Sequence, residues 1–304
     1  MANENQKLSL WAQLSASYAD AIGAIQESVV AVDGGRQTSS GVVWRSGIVV
    51  TTLHGLRHRD GIKIIHGGEP FGASLVGGDA ATDLAVLKLA DQKLVPVETA
   101  DDAEVHTGDV VLAVGRSGLG DISASAGIIA RTGSAWRTWR GGQIDRLIRP
   151  DVRLYVGQAG SALVNGQHRV VGINTPALAR QAVITIPART INRIVDAILE
   201  RGHAPRPYLG VAMQPVPVPE AARSAFPSEV EQALLVTHIE PGGPAAAGGV
   251  MVGDLIVSAN GEPVRSIREI LHRLSASRIG DSISLVVIRG GAQVDLAVSV
   301  TDRG

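Results

Sequence analysis

Three positions of the chain lie where predicted strands begin or end, which is where side chains from different strands can meet. His54 follows the apolar run GIVVTT, Asp83 precedes LAVLKL, and Ala159 is the apex of the glycine-framed turn VGQAGSALVN. An imidazole, a carboxylate and a tight turn of main-chain N–H groups are the components of nucleophilic acyl transfer. Spacing alone also fits a surface histidine and an aspartate in a turn, so the assignment depends on further motifs.

Other site chemistries find less support in the sequence. His54 and His58 are four residues apart, but no third ligand with matching spacing accompanies them, so no metal site is predicted. The stretch VGRSGLGD does not open a helix within a βαβ unit and therefore does not predict a phosphate loop. The chain has no cysteine, which excludes thiol catalysis, disulfides and cysteine-ligated zinc. We expect a site without cofactors.

The charge pattern narrows the class of partner. The formal net charge is -1, and acidic residues and glycines interrupt the run of arginines between Arg137 and Arg153. Nucleic-acid binders concentrate basic side chains, so we expect a solvated or substrate-facing loop and no nucleic-acid partner. No apolar run approaches the roughly 20 residues of a membrane span, and the N-terminus lacks the features of a signal peptide. The expected location is cytoplasmic if Met1 is the native start, or outside the cytoplasm if an export segment was trimmed.

The first segment of the chain comprises residues 1–26. Within it, an amphipathic helix is predicted over residues 8–26. Its apolar residues recur at steps of three and four and so share one face: Trp11, Leu14, Tyr18, Ile22 and Ile25. That face either packs on the domain that follows or forms a subunit contact. The subunit contact is favoured by Trp11 and Tyr18, two of the chain's few aromatic residues.

Residues 27–204 are predicted to form a β-domain that ends in a helix. Short runs rich in valine and isoleucine alternate with glycine, aspartate and serine turns, as in a barrel or sandwich. These runs are SVVAV, GVVW, GIVVTT, IKIIH, DLAVLKL, DVVLAV, RVVGINT and AVITI. A helical stripe then comprises Ile191, Ile194, Val195, Ile198 and Leu199. Gly202 suits the end of this helix, and the proline-containing stretch HAPRPYLG predicts a stiff linker after it.

Residues 205–304 are predicted to be a second, small α+β domain. ALLVTHI predicts a strand, and Asn260-Gly261 and Gly290-Gly291 predict hairpin turns. Ser266 and Glu269 have the spacing of a capping box and open a helix that carries Ile267, Ile270, Leu271 and Leu274. No cluster of catalytic residue types accompanies these elements, so this domain is expected to bind rather than to catalyse.

Four stretches in one order resemble a known family. TTLHGL, TDLAVLKL, VGQAGSALVNGQHRVVGINT and YLGV…VTHIEPGGPAAAGGVMVGDLIVSANGEPV are similar to the HtrA/Deg serine proteases. The resemblance covers nearly the whole chain. It implies a mainly β protein, with a chymotrypsin-like double six-stranded β-barrel at 27–204 followed by a small α+β PDZ domain at 205–304.

The resemblance also assigns roles to the three positions. His54 matches the general base, Asp83 the orienting acid and Ala159 the position of the nucleophilic serine. The family's turn reads Gly-Asn-Ser-Gly-Gly, and the corresponding residues here are Gly157, Gln158, Ala159, Gly160 and Ser161. This turn, at Gly157, Gln158 and Ala159, is expected to form the oxyanion hole, with N–H groups supplied by Gly157 and Ala159. Ser161 lies two residues further on, where a strand begins, and is not expected to replace the nucleophile.

Two accounts of Ala159 remain open. In one, alanine is an engineered replacement that disables a protease while keeping its fold. In the other, alanine is native, and the protein is a pseudoprotease that acts as a peptide-binding scaffold or chaperone. Both predict an inactive chain, because removing one member of a catalytic triad costs about 10⁶ in kcat.

Two binding surfaces follow from the resemblance. The pocket for the residue before the scissile bond is expected at Tyr155, Val156, Ile173, Asn174 and Thr175, whose lack of charge favours a small or medium apolar side chain. The PDZ groove is expected at Tyr208, Leu209, Gly210, Val211, Ile267 and Leu271, where a peptide C-terminus would add as a strand.

The family's partners complete the set of expectations. The resemblance implies unfolded or damaged proteins as substrates and peptide C-termini as PDZ ligands. It also implies a homotrimer or higher homo-oligomer, for which the Trp11 and Tyr18 stripe is the expected contact. An exported protein of this kind would work in the bacterial periplasm or cell envelope.

Overall fold

The chain is mainly β-structure, and every strand predicted from a short apolar run is present. The computed structural model describes residues 9–35, 38–58, 60–90, 94–116, 118, 120–179, 182–204, 207–218, 231–276 and 279–302. Contacts between Cα atoms divide the chain into two units, Met1–Ala204 and Pro205–Gly304. Pro205, one of the two prolines of the predicted linker, lies outside the described residues.

The first unit begins with a closed barrel. Within the described residues its strands are β1 (Val29–Asp33), β2 (Thr38–Arg45), β3 (Ile48–Thr52), β4 (Ile62–His66), β5 (Glu69–Asp79) and β6 (Leu84–Leu89). They are hydrogen-bonded in the order β1-β2-β3-β6-β5-β4, and β4 pairs with β1 to close the sheet. Valine and isoleucine fill its interior because β-branched side chains pack well on a pleated surface.

A second barrel follows in the same unit. Its region contains β7 (Val110–Arg116), β8 (Ile122–Gly133), β9 (Trp136–Arg137), β10 (Gln143–Ile144), β11 (Leu147–Asp151), β12 (Ala162–Val164), β13 (Val170–Thr175) and β14 (Ile184–Pro187). The barrel order is β11-β14-β13-β12-β7-β8, and β8 pairs with β11 to close it. Strands β9 and β10 form a separate two-stranded hairpin. The predicted fold of two barrels in sequence is confirmed.

Two helices flank these barrels, α1 (Leu10–Ile25) and α2 (Ala188–Arg201). The C-terminal half of α1 packs on the barrels through Tyr18, Ile22 and Ile25. Its N-terminal half leaves Trp11 79% exposed. Helix α2 buries its predicted stripe except Leu199, and it ends at Gly202 in the left-handed conformation, φ +80°.

The second unit is the predicted small α+β fold. Its strands are β15 (Pro207–Tyr208), β16 (Val211–Pro217), β17 (Gln232–Ile239), β18 (Leu255–Ala259), β19 (Glu262–Pro263), β20 (Ser282–Arg289), β21 (Ala292–Ser299) and β22 (Thr301–Asp302). The main sheet runs β16-β17-β18-β20-β21, with β16 at one edge. The helices are α3 (Pro244–Ala247) and α4 (Ile267–Ala276). No helix in the described ranges is long and apolar enough to cross a bilayer.

A buried ion pair fixes the turn before β18. Asp254 is 1% exposed, and each of its carboxylate oxygens lies 2.8 Å from a nitrogen of Arg289. The main-chain N–H of Met251 also donates to this carboxylate, at 2.8 Å. Burial opposes the charged form, but the hydrogen bonds from Arg289 and Met251 prevail and lower the pKa of Asp254. The charged carboxylate therefore ties this turn to β20.

Candidate active site

His54 and Asp83 meet because they lie at the ends of two paired strands. His54 is in a 3₁₀ turn that directly follows β3, Asp83 directly precedes β6, and the register pairs Thr52 with Leu84. The Nδ1 atom of His54 lies 2.7 Å from Oδ2 of Asp83. The main-chain N–H of His54 donates to the other carboxylate oxygen at 3.0 Å. Both ring orientation and turn geometry are thus tied to one carboxylate.

Asp83 is held rigidly inside the protein. It is 6% exposed and has a φ of +63°, a left-handed conformation uncommon for residues other than glycine. The hydroxyl of Thr175, from β13 of the second barrel, donates to Oδ2 at 2.6 Å. This bond joins the two barrels at the carboxylate. Thr175 was expected only in a pocket wall, because no local pattern in the sequence links it to Asp83.

The carboxylate changes the acid–base behaviour of the imidazole. The hydrogen bond from His54 to Asp83 raises the pKa of His54 above 6.5, with a further contribution from the negative charge, and it outweighs burial, which lowers this pKa. Because Nδ1 faces the carboxylate, Nε2 is the ring nitrogen left for proton transfer to another group. The His54 side chain is 40% exposed, so such a group can approach from solvent.

The turn at Gly157–Ser161 depends on two glycines with positive φ. Gly157 has φ +88° and Gly160 has φ +86°. A Cβ atom on Gly160 would lie only 2.1 Å from the main-chain oxygen of Ser40. Glycine is therefore required at Gly160 both for the backbone angle and for the close approach of β2.

Most main-chain N–H groups of this turn are already hydrogen-bonded. Those of Gln158, Gly160 and Ser161 donate to carbonyl oxygens at 2.9–3.0 Å. Those of Gly157 and Ala159 donate to no acceptor within the described part of the chain. Two unused N–H groups two residues apart in a tight turn can bind an anionic oxygen. Gln158 contributes structure instead, since its side chain bonds to the main-chain N–H of Tyr155 and to Ser123.

Ser161 is enclosed by protein. It is 0% exposed, and the Nδ2 atom of Asn174 donates to its hydroxyl oxygen at 3.1 Å. The Oδ1 atom of Asn174 in turn accepts a hydrogen bond from Thr185 at 2.8 Å. A hydroxyl inside this network is not accessible to a substrate, in agreement with the interpretation that Ser161 does not replace the missing nucleophile.

The expected specificity-pocket residues differ in their placement. Tyr155 and Val156 are 47% and 86% exposed, whereas Ile173, Asn174 and Thr175 are completely buried. The side chains of Asn174 and Thr175 are bonded to other protein groups. Next to this segment lies an open cavity of about 510 Å³, whose lining includes Leu154, Pro176 and Val183. The pocket assignment stays a prediction.

The expected peptide groove of the second unit combines an edge strand and an exposed helix face. Strand β16 leaves one edge of the sheet unpaired among the described strands. Ile267 and Leu271 are 37% and 43% exposed on α4, while Ile270 is buried in the core. Gly210 has φ +75° at the start of β16. Leu209 is 3% exposed and is part of the apolar core of this unit.

Comparison with known proteins decides the family. Residues 39–173 match the trypsin-like peptidase domain model, and residues 207–300 match the PDZ domain model. The serine endoprotease DegS of Salmonella typhimurium is 32% identical over 281 residues, which cover 88% of this chain and 77% of DegS. This chain belongs to the HtrA family of serine proteases. A probable periplasmic serine endoprotease, DegP-like, of Rhizobium meliloti is 35% identical over 263 residues.

The HtrA relatives agree in fold but differ in length. A solved structure of the HtrA-type protease AlgW with a decapeptide has a TM-score of 0.71 and 27% identity, covering 94% of this chain and 99% of AlgW. The matched part covers 84% of this HtrA chain but 51% of the DegP-like relative, so the chain spans about half that relative's length. The predicted family and its combination of a peptidase domain with a PDZ domain are confirmed.

Proposed function

We propose that this HtrA chain binds unfolded or damaged polypeptide in a serine-endopeptidase cleft and, with alanine at position 159, does not cleave it. The observation that carries the proposal is the hydrogen-bonded set of His54, Asp83 and Thr175, in the same unit as a turn with two unused N–H groups. A cleft used for binding alone has no chemical need of an oriented imidazole.

With a serine at position 159, the proposed roles are those of a catalytic triad. Nε2 of His54 takes the hydroxyl proton as the oxygen attacks the scissile carbonyl carbon. The carbonyl oxygen becomes negative and accepts hydrogen bonds from the main-chain N–H groups of Gly157 and of position 159. The imidazolium, stabilised by Asp83, then protonates the leaving amine, and water completes the cycle by the same steps. Alanine has no oxygen for the first step, so no acyl-enzyme forms.

The two donors to that oxygen are the main-chain N–H groups of Gly157 and Ala159, and neither depends on the side chain at position 159. Neither N–H group has an acceptor among the described residues, which supports this role. What alanine removes is the attacking oxygen alone, so the expected loss is about 10⁶ in kcat, the cost of removing the serine of a triad.

The two accounts of Ala159 make different use of this arrangement. The bond between His54 and Asp83 supports the first account, a protease that lacks only the serine hydroxyl oxygen because of an engineered replacement. Ala159 itself favours the second candidate, a native pseudoprotease that serves as a peptide-binding scaffold or chaperone. Both bind polypeptide in the same cleft without cutting it.

The test restores the missing hydroxyl. Ala159→Ser is assayed on reduced, denatured casein, with Ala159→Ser/His54→Ala as the matched control. We expect the single variant to cleave and the double variant to be inactive, because the serine needs His54 as its base. If neither variant cleaves, with or without a peptide that binds the PDZ domain, the endopeptidase proposal is wrong and the scaffold leads.

The remaining proposals concern partners and location. The PDZ domain would bind peptide C-termini, which add as a strand to the edge of β16 beside α4. The exposed end of α1 would join copies of the chain into a homotrimer or higher homo-oligomer. A place in the periplasm or cell envelope is supported by the DegP-like relative, which is described as periplasmic.

A further inference from the structure

Ser40 connects the first barrel to the turn that carries position 159. It lies on β2, is 0% exposed, and contacts residues of the second barrel. Its main-chain N–H donates to the carbonyl oxygen of Ala159 at 2.8 Å. Its hydroxyl donates to the carbonyl oxygen of Gly157, also at 2.8 Å. One residue therefore holds a carbonyl on each side of Gln158.

The direction of the hydroxyl bond is set by a third contact. The main-chain N–H of Arg116 donates to the Ser40 oxygen at 3.0 Å. The hydroxyl proton must therefore point elsewhere, and the Gly157 oxygen at 2.8 Å is a better acceptor than the Arg116 oxygen at 3.4 Å. The Arg116 side chain is itself fixed by the carbonyl oxygens of Gln26, Val29 and Gly120.

Gly157 needs such a restraint more than its neighbour Gly160 does. A Cβ atom on Gly160 would collide with main chain at 2.1 Å, so steric contact confines that residue. At Gly157 the nearest atom to such a Cβ is 3.4 Å away, the oxygen of Thr38. Glycine has wide conformational freedom, and packing leaves much of it open here. The Gly157–Gln158 peptide is restricted by hydrogen bonds instead: its N–H donates to the carbonyl oxygen of Tyr155 at 3.0 Å, and its carbonyl oxygen accepts from Ser40.

We propose that Ser40 is a positioning residue for the oxyanion-binding turn. Its hydroxyl fixes the Gly157–Gln158 peptide, and its N–H fixes the peptide after Ala159. These two peptides flank the Gln158–Ala159 peptide, whose N–H is one of the two free donors, so Ser40 limits the rotation of that donor. The inference rests on the proposed function, in which these N–H groups bind the substrate oxyanion.

The kinetic test compares two adjacent serines in the Ala159→Ser background. Ser40→Ala removes the hydroxyl that holds Gly157, while Ser39→Ala removes a neighbouring buried hydroxyl whose partner is Thr51. We expect Ser40→Ala to lower kcat by about tenfold to a hundredfold, less than the roughly 10²–10³ for deleting an oxyanion donor. KM should change little. Equal kcat values for the two variants would overturn the proposal.

A second readout needs no catalysis. Hydrogen–deuterium exchange of residues 154–162 is measured in the chain with Ala159, with and without each serine replacement. We expect faster exchange across this segment in Ser40→Ala and no change in Ser39→Ala. If Ala159→Ser never cleaves, the proposed function fails, yet this exchange still decides the role of Ser40. Unchanged exchange in Ser40→Ala contradicts it.

A separate measurement tests whether the serine variants still fold. Thermal unfolding of both variants shows whether Ser40→Ala keeps its structure. If it does not, Ser40→Cys replaces it, because a thiol has similar shape but is a much weaker hydrogen-bond donor. The same loss of kcat and faster exchange are expected, and their absence would count against the proposal.

Discussion

At the scale of single residues, one carboxylate organises the acid–base chemistry of the site. Asp83 accepts hydrogen bonds from the ring and main chain of His54 and from Thr175. The folded protein therefore favours charged His54. The stability that this adds is fully present below pH 6.5, the ordinary pKa of histidine, and is lost as the pH rises through the raised pKa of His54.

The first prediction concerns the pH dependence of cleavage. Because His54 must be neutral to accept a proton, kcat/KM of Ala159→Ser should rise with pH through a midpoint above 6.5. Asp83→Asn in the same background should lower kcat by about 10⁴ and move the His54 titration, followed by NMR, downward. Asp109→Asn, the same change at a carboxylate 45% exposed, is the control. A His54 titration that Asp83→Asn leaves unchanged would contradict this account.

The sequence singled out His54 and Asp83 because each lies at the end of an apolar run, and the structure brings their side chains within 2.7 Å of each other. The sequence did not reveal the contacts of Thr175 and Ser40, because their partners lie 92 and 117 residues away in the chain. The signal for Ser40 was visible as the pair of serines in TSSGVV, polar residues at the start of a strand that is otherwise apolar. No sequence pattern indicated that Gly157, in the other barrel, is the partner of Ser40.

At the scale of elements, the local signals proved reliable where glycine or asparagine sets the backbone. Asn260 and Gly261 have φ of +52° and +78°, as a two-residue hairpin of type I′ requires. Strands β5, β8 and β11 were not among the predicted runs, because glycine, serine and arginine dilute their apolar pattern. Strand β5 also changes register between Leu75 and Gly77, which obscures a period of two.

The second prediction belongs to the pair of elements β16 and α4. Leu271→Ala should weaken the binding of peptides with a free C-terminus by about tenfold, because it removes exposed apolar surface beside the edge strand. His272→Ala, an exposed change on the same helix, is the control. Fluorescence anisotropy of a labelled peptide gives both affinities. Equal affinities would place the groove elsewhere.

At the scale of the whole molecule, the pattern of apolar residues could not predict that the sheets close into barrels. The pairing of β1 with β4 and of β7 with β12 joins strands that are distant in sequence. The short apolar runs fitted a barrel or a sandwich equally, and it was the resemblance to the HtrA family that selected two barrels. The local period of apolar residues predicts that a strand forms but does not show which distant strand it pairs with.

Assembly is the last property at this scale, and it depends on α1. Leu10 and Trp11 are 84% and 79% exposed, so this chain leaves an apolar helix end uncovered. Large exposed apolar side chains that cluster favour contact with another copy. With the trimer that the resemblance to the HtrA family implies, we expect light scattering after gel filtration to give three times the mass of one chain, which is 31.6 kDa.

Two tryptophans make this prediction specific. Trp11→Asp should reduce the measured mass to that of one chain, because it places a charge in the proposed contact. Trp139→Asp makes the same change at a residue 72% exposed on the hairpin of β9 and β10, and it should leave the mass unaltered. If both variants keep the parent's mass, α1 does not hold the copies together, and its exposed end must serve another contact.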